Sequence, residues 1–143
     1  MTRGAAQPRI LIADDSELIL ELIGAMLERS GFTCLSSAHS GRETLAKAQE
    51  FQPDLILLDI GLPDLDGYEV TRRLRAMHWS KRLAIIIQTG KENPDESDLA
   101  TKAGADDIIF KPINRGKLLA AIERQLEAQP GDATATAASD RVS

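Results

Sequence analysis

Two short runs, Leu55–Leu58 and Leu83–Gln88, are almost wholly apolar, and they restrict the possible folds more than anything else in the chain. A strand with one wet face alternates apolar and polar residues, whereas a strand apolar at nearly every position must be covered on both sides. Three further runs of strand length occur at Arg9–Ala13, Phe32–Ser36 and Asp107–Phe110, each bounded by turn residues or charge. The segments between them have helical spacing. Ile19, Leu22, Ile23, Met26 and Leu27 recur at intervals of three and four, with Gly31 as a stop, and Leu118, Leu119, Ile122 and Leu126 form a stripe in a last helix, Asn114–Ala128.

Capping residues mark the other helix starts. Ser40 with Glu43, Asp66 with Glu69, and Asn93 with Glu96 each set a capping side chain three residues before a carboxylate that can reach back. Pro94 suits the first helical position and Gly104 the exit. Strand followed by helix, five times, predicts an α/β domain: an open, doubly wound (βα)5, flavodoxin-like fold with a five-stranded parallel sheet in the order 2-1-3-4-5.

At 143 residues and 43% hydrophobic content, one domain is expected. Its predicted extent is 9–128, after a flexible N-terminus at 1–8 and before a tail or linker at 129–143 that lacks large apolar residues apart from Val142 and is expected to be disordered. The charges intersperse and sum to −5, so no basic surface suited to direct nucleic-acid binding is expected. The lone Cys34, in an apolar stretch, excludes an intrachain disulfide framework and reads as a core residue. No signal-peptide core and no run near the ~20 apolar residues of a membrane span occurs, so a cytoplasmic location is expected.

In a parallel sheet every strand ends at one edge, and ligands bind beyond the carboxyl ends where the strand order reverses. Asp14 and Asp15 follow the first strand, Asp59 ends the third, Thr89 follows the fourth and Lys111 the fifth. With strands one and three adjacent, three carboxylates share one pocket. Such a cluster takes up protons or recruits a cation, and an all-oxygen set suits magnesium. Asp59 could then act as nucleophile toward a phosphoryl group, with the Thr89 hydroxyl and Lys111 cation facing the other phosphoryl oxygens. An Asp-Asp pair alone is often only a helix cap. Four strand ends carrying complementary chemistry are not explained that way.

The stretches ILIADDSE, LILLDIGLPDLDGYE, IIIQTG and GADDIIFKPI, spread over Arg9–Glu127, resemble the successive signatures of response-regulator receiver domains of two-component signalling, of the chemotaxis-regulator type. The motif D-x-x-L-P-x-x-D-G falls on Asp59, Leu62, Pro63, Asp66 and Gly67. The resemblance implies that Asp14, Asp15, Asp59 and the Gly61 carbonyl hold magnesium and that Asp59 is phosphorylated. It also implies that Thr89 and Lys111 engage the phosphoryl group and that Lys111–Pro112 is cis. The implied partner is a sensor histidine kinase or histidine phosphotransfer protein, with a small acyl phosphate as an alternative donor. The chain would catalyse only its own aspartyl phosphorylation and dephosphorylation. Output would pass to an unidentified target through the face of helix four, strand five and helix five, a face that also allows a homodimer.

Departures from that pattern carry expectations of their own. Ile108 stands where such domains usually have Tyr or Phe, and Phe110 is its same-face neighbour. Gly90 replaces a common alanine after the threonine. Gly61 and Lys91, two residues beyond Asp59 and Thr89, are expected to set how easily water attacks an acyl phosphate. His39 and His78 read as surface residues, and Trp79 as packing. A flavodoxin-like cofactor binder is disfavoured, since Asp14, Asp15 and Glu17 would repel the phosphate that a first-strand loop should cradle. Two further functions compete: a pseudo-receiver that binds partners without phosphorylation, and a haloacid-dehalogenase-like phosphatase. The complete acidic set argues against the first. Gly61, where the second needs an acid, and the short chain argue against the other.

Overall fold

The computed structural model describes residues 7–90 and 94–127. The elements run β1 (Arg9–Ala13), α1 (Glu17–Arg29), β2 (Cys34–Ala38), α2 (Gly41–Phe51), β3 (Leu55–Asp59), α3 (Gly67–Arg75), a 3-10 turn (His78–Arg82), β4 (Ala84–Thr89), α4 (Pro94–Ala103), β5 (Asp107–Phe110) and α5 (Arg115–Glu127). All strand pairs are parallel and the order is β2-β1-β3-β4-β5, as expected.

The apolar runs are explained by two cores, one on each sheet face. Ile10, Ile12, Leu55, Leu57 and Ile86 pack against α1 and α5 through Leu20, Ile23, Leu27, Leu118 and Ile122. The alternate residues Leu11, Ile56, Leu58, Ile85 and Ile87 pack against α2, α3 and α4 through Ala48, Val70, Leu74 and Ala100. Every residue of β3 and β4 is buried. Covering each Leu or Ile is worth roughly 1.5–3 kcal/mol, so the two central strands are the firmest part of the frame.

Several local expectations need correction. β2 starts two residues later than Phe32, because the chain there is closing α1. Gly31, at φ +98°, donates its N–H to the Glu28 carbonyl and Phe32 donates to the Leu27 carbonyl, so pairing begins only at Cys34 opposite Arg9. Cys34 is consequently half-buried rather than a core residue. On α1 the buried face is centred on Leu20, Ile23 and Leu27, which leaves Leu22 49% exposed. Asn114 lies outside α5, where its side chain accepts a hydrogen bond from the Lys117 N–H; Ala128 lies outside the described residues.

Ser40 and Asp66 cap α2 and α3 as expected, accepting from the backbone N–H groups of Glu43 and Glu69. The reciprocal bonds differ. The Glu43 carboxylate accepts from the His39 N–H rather than that of Ser40, and Glu69 turns to Arg72 and Arg73 at 3.0 and 2.9 Å. Two arginines one turn ahead compete with the helix start and win. α4 begins at Pro94, as expected, while its Asn93 cap lies outside the described residues. Gly104, at φ +108°, ends that helix as expected. The flexible N-terminus expected at 1–8 falls outside the described residues except for Gln7 and Pro8, and the tail at 129–143 lies entirely outside them. No helix among the described residues is long and apolar enough to cross a membrane.

Candidate functional site

β1 and β3 are neighbours, and their carboxyl ends bring Asp14, Asp15 and Asp59 together. One carboxylate oxygen from each lies within 4.8 Å of the others. Asp14 and Asp59 are buried and Asp15 is exposed, so the cluster opens on one side. From the end of β5, Lys111 crosses to Asp59 and places its Nζ 2.8 Å from Oδ1. The Lys111 backbone N–H donates to the Thr89 carbonyl at 2.8 Å, and Lys111–Pro112 is cis, as the resemblance implied. Thr89 ends β4 at the same rim, paired in register with Phe110 and fully buried.

The motif residues after Asp59 hold the loop rather than react. Leu62 is buried in the α2–α4 core, and Asp66 caps α3. Gly67 donates its N–H to the Ile60 carbonyl at 2.9 Å, and a Cβ there would lie 2.8 Å from the Ile60 Cα, so only glycine lets the loop close this tightly. Gly61 lies beside the nucleophile candidate: a Cβ on it would be 3.7 Å from Asp59 Oδ2. Lys91 lies outside the described residues.

Asp14 reports what the cluster needs. Its Oδ1 accepts from the Ser16 N–H at 2.9 Å, but Oδ2 is buried with no hydrogen-bond partner. Burial pushes its carboxyl above the usual 3.8, against the Ser16 N–H and Lys111, and Asp59 and Asp15 push in the same direction. A cluster of three carboxylates, one of them with an orphaned buried oxygen, could hold a cation. The donors are all oxygen and one side is open, which fits a magnesium ion that keeps part of its water.

Some contributors were not read from the sequence. Ser16 caps α1 by accepting from the Ile19 N–H, a signal visible as the serine before Glu17. Asp64 accepts from the N–H groups of Gly41 and Arg42, tying the β3–α3 loop to α2. Those donors and the Leu65 N–H hold its carboxyl below the usual range despite the opposing effect of burial. Tyr68 donates to the buried Glu96, joining α3 to α4. His39 is exposed, as expected, and is bracketed by Glu17 at 2.7 Å and Glu43 at 3.2 Å, which together raise its pKa. Trp79 packs against the second core and donates to Gln49.

A parallel (βα)5 sheet with an acidic cluster and a lysine at its carboxyl edge defines a class of domain, and comparison with known proteins specifies it. Residues 10–123 match the family model described as the response regulator receiver domain. The chain is 35% identical over 142 residues to the transcriptional regulatory protein PrrA of Mycobacterium leprae, covering 99% of this chain and 59% of PrrA. It thus spans little more than half the length of that relative. Among solved structures, a CheY-like response regulator receiver domain protein from Methanospirillum hungatei superimposes with a TM-score of 0.80 at 33% identity, covering 88% of this chain and 98% of that one. The receiver domain of a sensor histidine kinase from Pseudomonas aeruginosa, solved with a magnesium ion coordinated in its active-site cleft, gives 0.78 at 30% identity and covers 86% and 100%. The chain belongs to the response-regulator receiver-domain family of two-component systems.

Proposed function

We propose that Asp59 is the phosphoacceptor of a magnesium-dependent switch in a phosphorelay. The observation that carries this reading is the buried Asp59 carboxylate held 2.8 Å from Lys111 Nζ, beside the orphaned Asp14 oxygen. Asp14, Asp15, Asp59 and the Gly61 carbonyl are the residues that would hold the cation, whose charge would offset that of the acidic cluster and of the incoming phosphoryl group. An Asp59 oxygen attacks phosphorus; the bond from phosphorus to the donor histidine breaks, and its electron pair returns to the imidazole. Lys111 follows the charge onto the phosphoryl oxygens, and Thr89 presents its hydroxyl from the fourth strand end.

The donor is a sensor histidine kinase or a histidine phosphotransfer protein, with small acyl phosphates as substitutes. Output is a shift in the population of arrangements of α4, β5 and α5, read by a downstream protein or by a second copy of the chain. Ile108 packs in the core shared with α4, so whatever coupling operates there works through aliphatic packing rather than a swinging ring.

The test is intact mass after incubation with magnesium and acetyl phosphate. The expected result is a phosphate-sized adduct on the wild type and none on Asp59→Asn. No adduct on either would overturn the reading in favour of a phosphorylation-independent binding module.

A further inference from the structure

Within the motif D-x-x-L-P-x-x-D-G, Asp64 stands at an unspecified position. Its carboxylate nevertheless accepts from three backbone N–H groups, those of Gly41 at 2.6 Å, Leu65 at 2.9 Å and Arg42 at 3.0 Å. Gly41 and Arg42 open α2, and the first N–H groups of a helix have no partner within it. Ser40 Oγ takes the next one, that of Glu43, at 3.0 Å. The start of α2 is thus capped twice, once by its chain neighbour and once by the loop that follows Asp59. Only the second cap ties α2 to the acidic cluster.

Gly41 is what lets the loop come this close. A Cβ there would lie 2.7 Å from the Leu65 Cβ and 3.1 Å from Asp64 Oδ1. A carboxylate at the positive end of a helix is favoured for the same reason that anions bind there. The same helix start reaches the other flank of the cluster: Glu43 accepts from the His39 N–H, and the His39 ring meets Glu17, two residues beyond Asp15, at 2.7 Å.

The tether matters for what lies between it and Asp59. Ile60 donates its N–H to the Gln88 carbonyl at 3.0 Å and accepts from the Gly67 N–H at 2.9 Å, which closes the base of the loop. Leu62 is buried. Gly61 is exposed, so its orientation is set by the anchors on either side: Ile60 before it, Leu62 and Asp64 after it.

We propose that Asp64 is a positioning residue for the cation: by holding the β3–α3 loop on the start of α2 it sets where the Gly61 carbonyl stands, and so the affinity of the acidic cluster for magnesium. The inference rests on the reading above, in which Gly61 supplies a carbonyl to that cation. Without the tether the loop keeps its closed base and its buried Leu62, so the fold survives. The Gly61 segment then samples more orientations, and binding has to restrict them.

The test compares wild type with Asp64→Ala, Asp64→Asn and Ser40→Ala. Magnesium is titrated calorimetrically into each protein without a phosphodonor, and thermal melts are run alongside. Asp64→Ala should raise the magnesium concentration for half-saturation by roughly fivefold, less than the loss of a direct partner of a metal ligand because the tether acts through the chain. Asp64→Asn keeps an accepting oxygen but not the charge at the helix end, so it should fall between Asp64→Ala and wild type. Ser40→Ala should lower the melting temperature by weakening the same helix start, yet leave half-saturation within about twofold of wild type. Half-saturation of Asp64→Ala within about twofold of wild type would overturn the proposal. So would a shift in Ser40→Ala as large as that in Asp64→Ala, since helix stability rather than loop position would then be responsible. A wild type that takes up no magnesium would overturn the cation reading and this inference with it, an outcome distinct from variants that bind as wild type does.

Discussion

Asp14→Asn isolates the electrostatic cost of the acidic cluster while keeping its shape, because the asparagine oxygen can still accept from the Ser16 N–H as Asp14 Oδ1 does. Two full charges within 4.8 Å of each other, in an effective dielectric of about 20, repel by at least roughly 3 kcal/mol. Lys111, 2.8 Å from Asp59 but 37% exposed, offsets part of this. Neutralising Asp14 should therefore stabilise the cation-free protein by about 1–2 kcal/mol, or about 3–8 °C in melting temperature. Thermal melts in EDTA measure this directly, and a parallel magnesium titration should raise the melting temperature of wild type far more than that of the variant. The pH dependence has a definite sign. Folding raises the Asp14 pKa above 3.8, so the folded state holds that proton more tightly than the unfolded chain. The associated stability is complete below 3.8 and is lost as pH climbs through the raised folded value. The advantage of Asp14→Asn is thus greatest near neutrality and shrinks as the solution is acidified. A variant that melts at or below wild type in EDTA at neutral pH would refute the account of the cluster as a site held in repulsion.

Two other perturbations probe the frame around the site. Gly67→Ala sets a Cβ 2.8 Å from the Ile60 Cα; it should cost about 1–3 kcal/mol in denaturant melts and, by displacing the loop after Asp59, slow acetyl-phosphate loading. Tyr68 is the chain's one tyrosine, and burial, then the neighbouring Glu96, hold its phenol above the ordinary 10. Its tyrosinate absorbance should therefore rise only well past pH 10, with stability present below that value and lost above it; a normal phenol titration in the folded protein would exclude the Tyr68–Glu96 bond.

The architecture was legible because burial on two faces leaves a mark on composition. Leu55–Leu58 and Leu83–Gln88 could be covered only by helices on both sides, and the order of elements then placed Asp14, Asp59, Thr89 and Lys111 at one edge. Boundaries were legible only where a single signal acted. Gly31 was read correctly as the stop of α1, but the closing hydrogen bonds also use Phe32, so an aromatic that reads as strand belongs to the helix exit. Leu22 misled for a related reason: spacing of three and four admits two overlapping stripes on α1, and only contact with Ile10, Ile12 and Leu57 selects the one through Leu20, Ile23 and Leu27. At α3 the reciprocal cap failed because Glu69 has two arginines within a turn, a competition that a pairwise motif does not represent.

Gln88 illustrates a different limit. In the sequence it reads as the polar last residue of an apolar strand, a common way for a run to end, and nothing in the spacing relates it to a residue twenty-nine positions earlier. The relation exists only through register: β3 and β4 pair so that Gln88 stands opposite Asp59, and Lys111 reaches Asp59 from beyond β4. The same pairing makes the glutamine costly, since a strand covered on both faces cannot offer its amide water. Reactive residues at strand ends can thus be found from the order of elements, because each advertises its chemistry by type. A buried polar atom without a partner becomes visible only when the sheet is assembled.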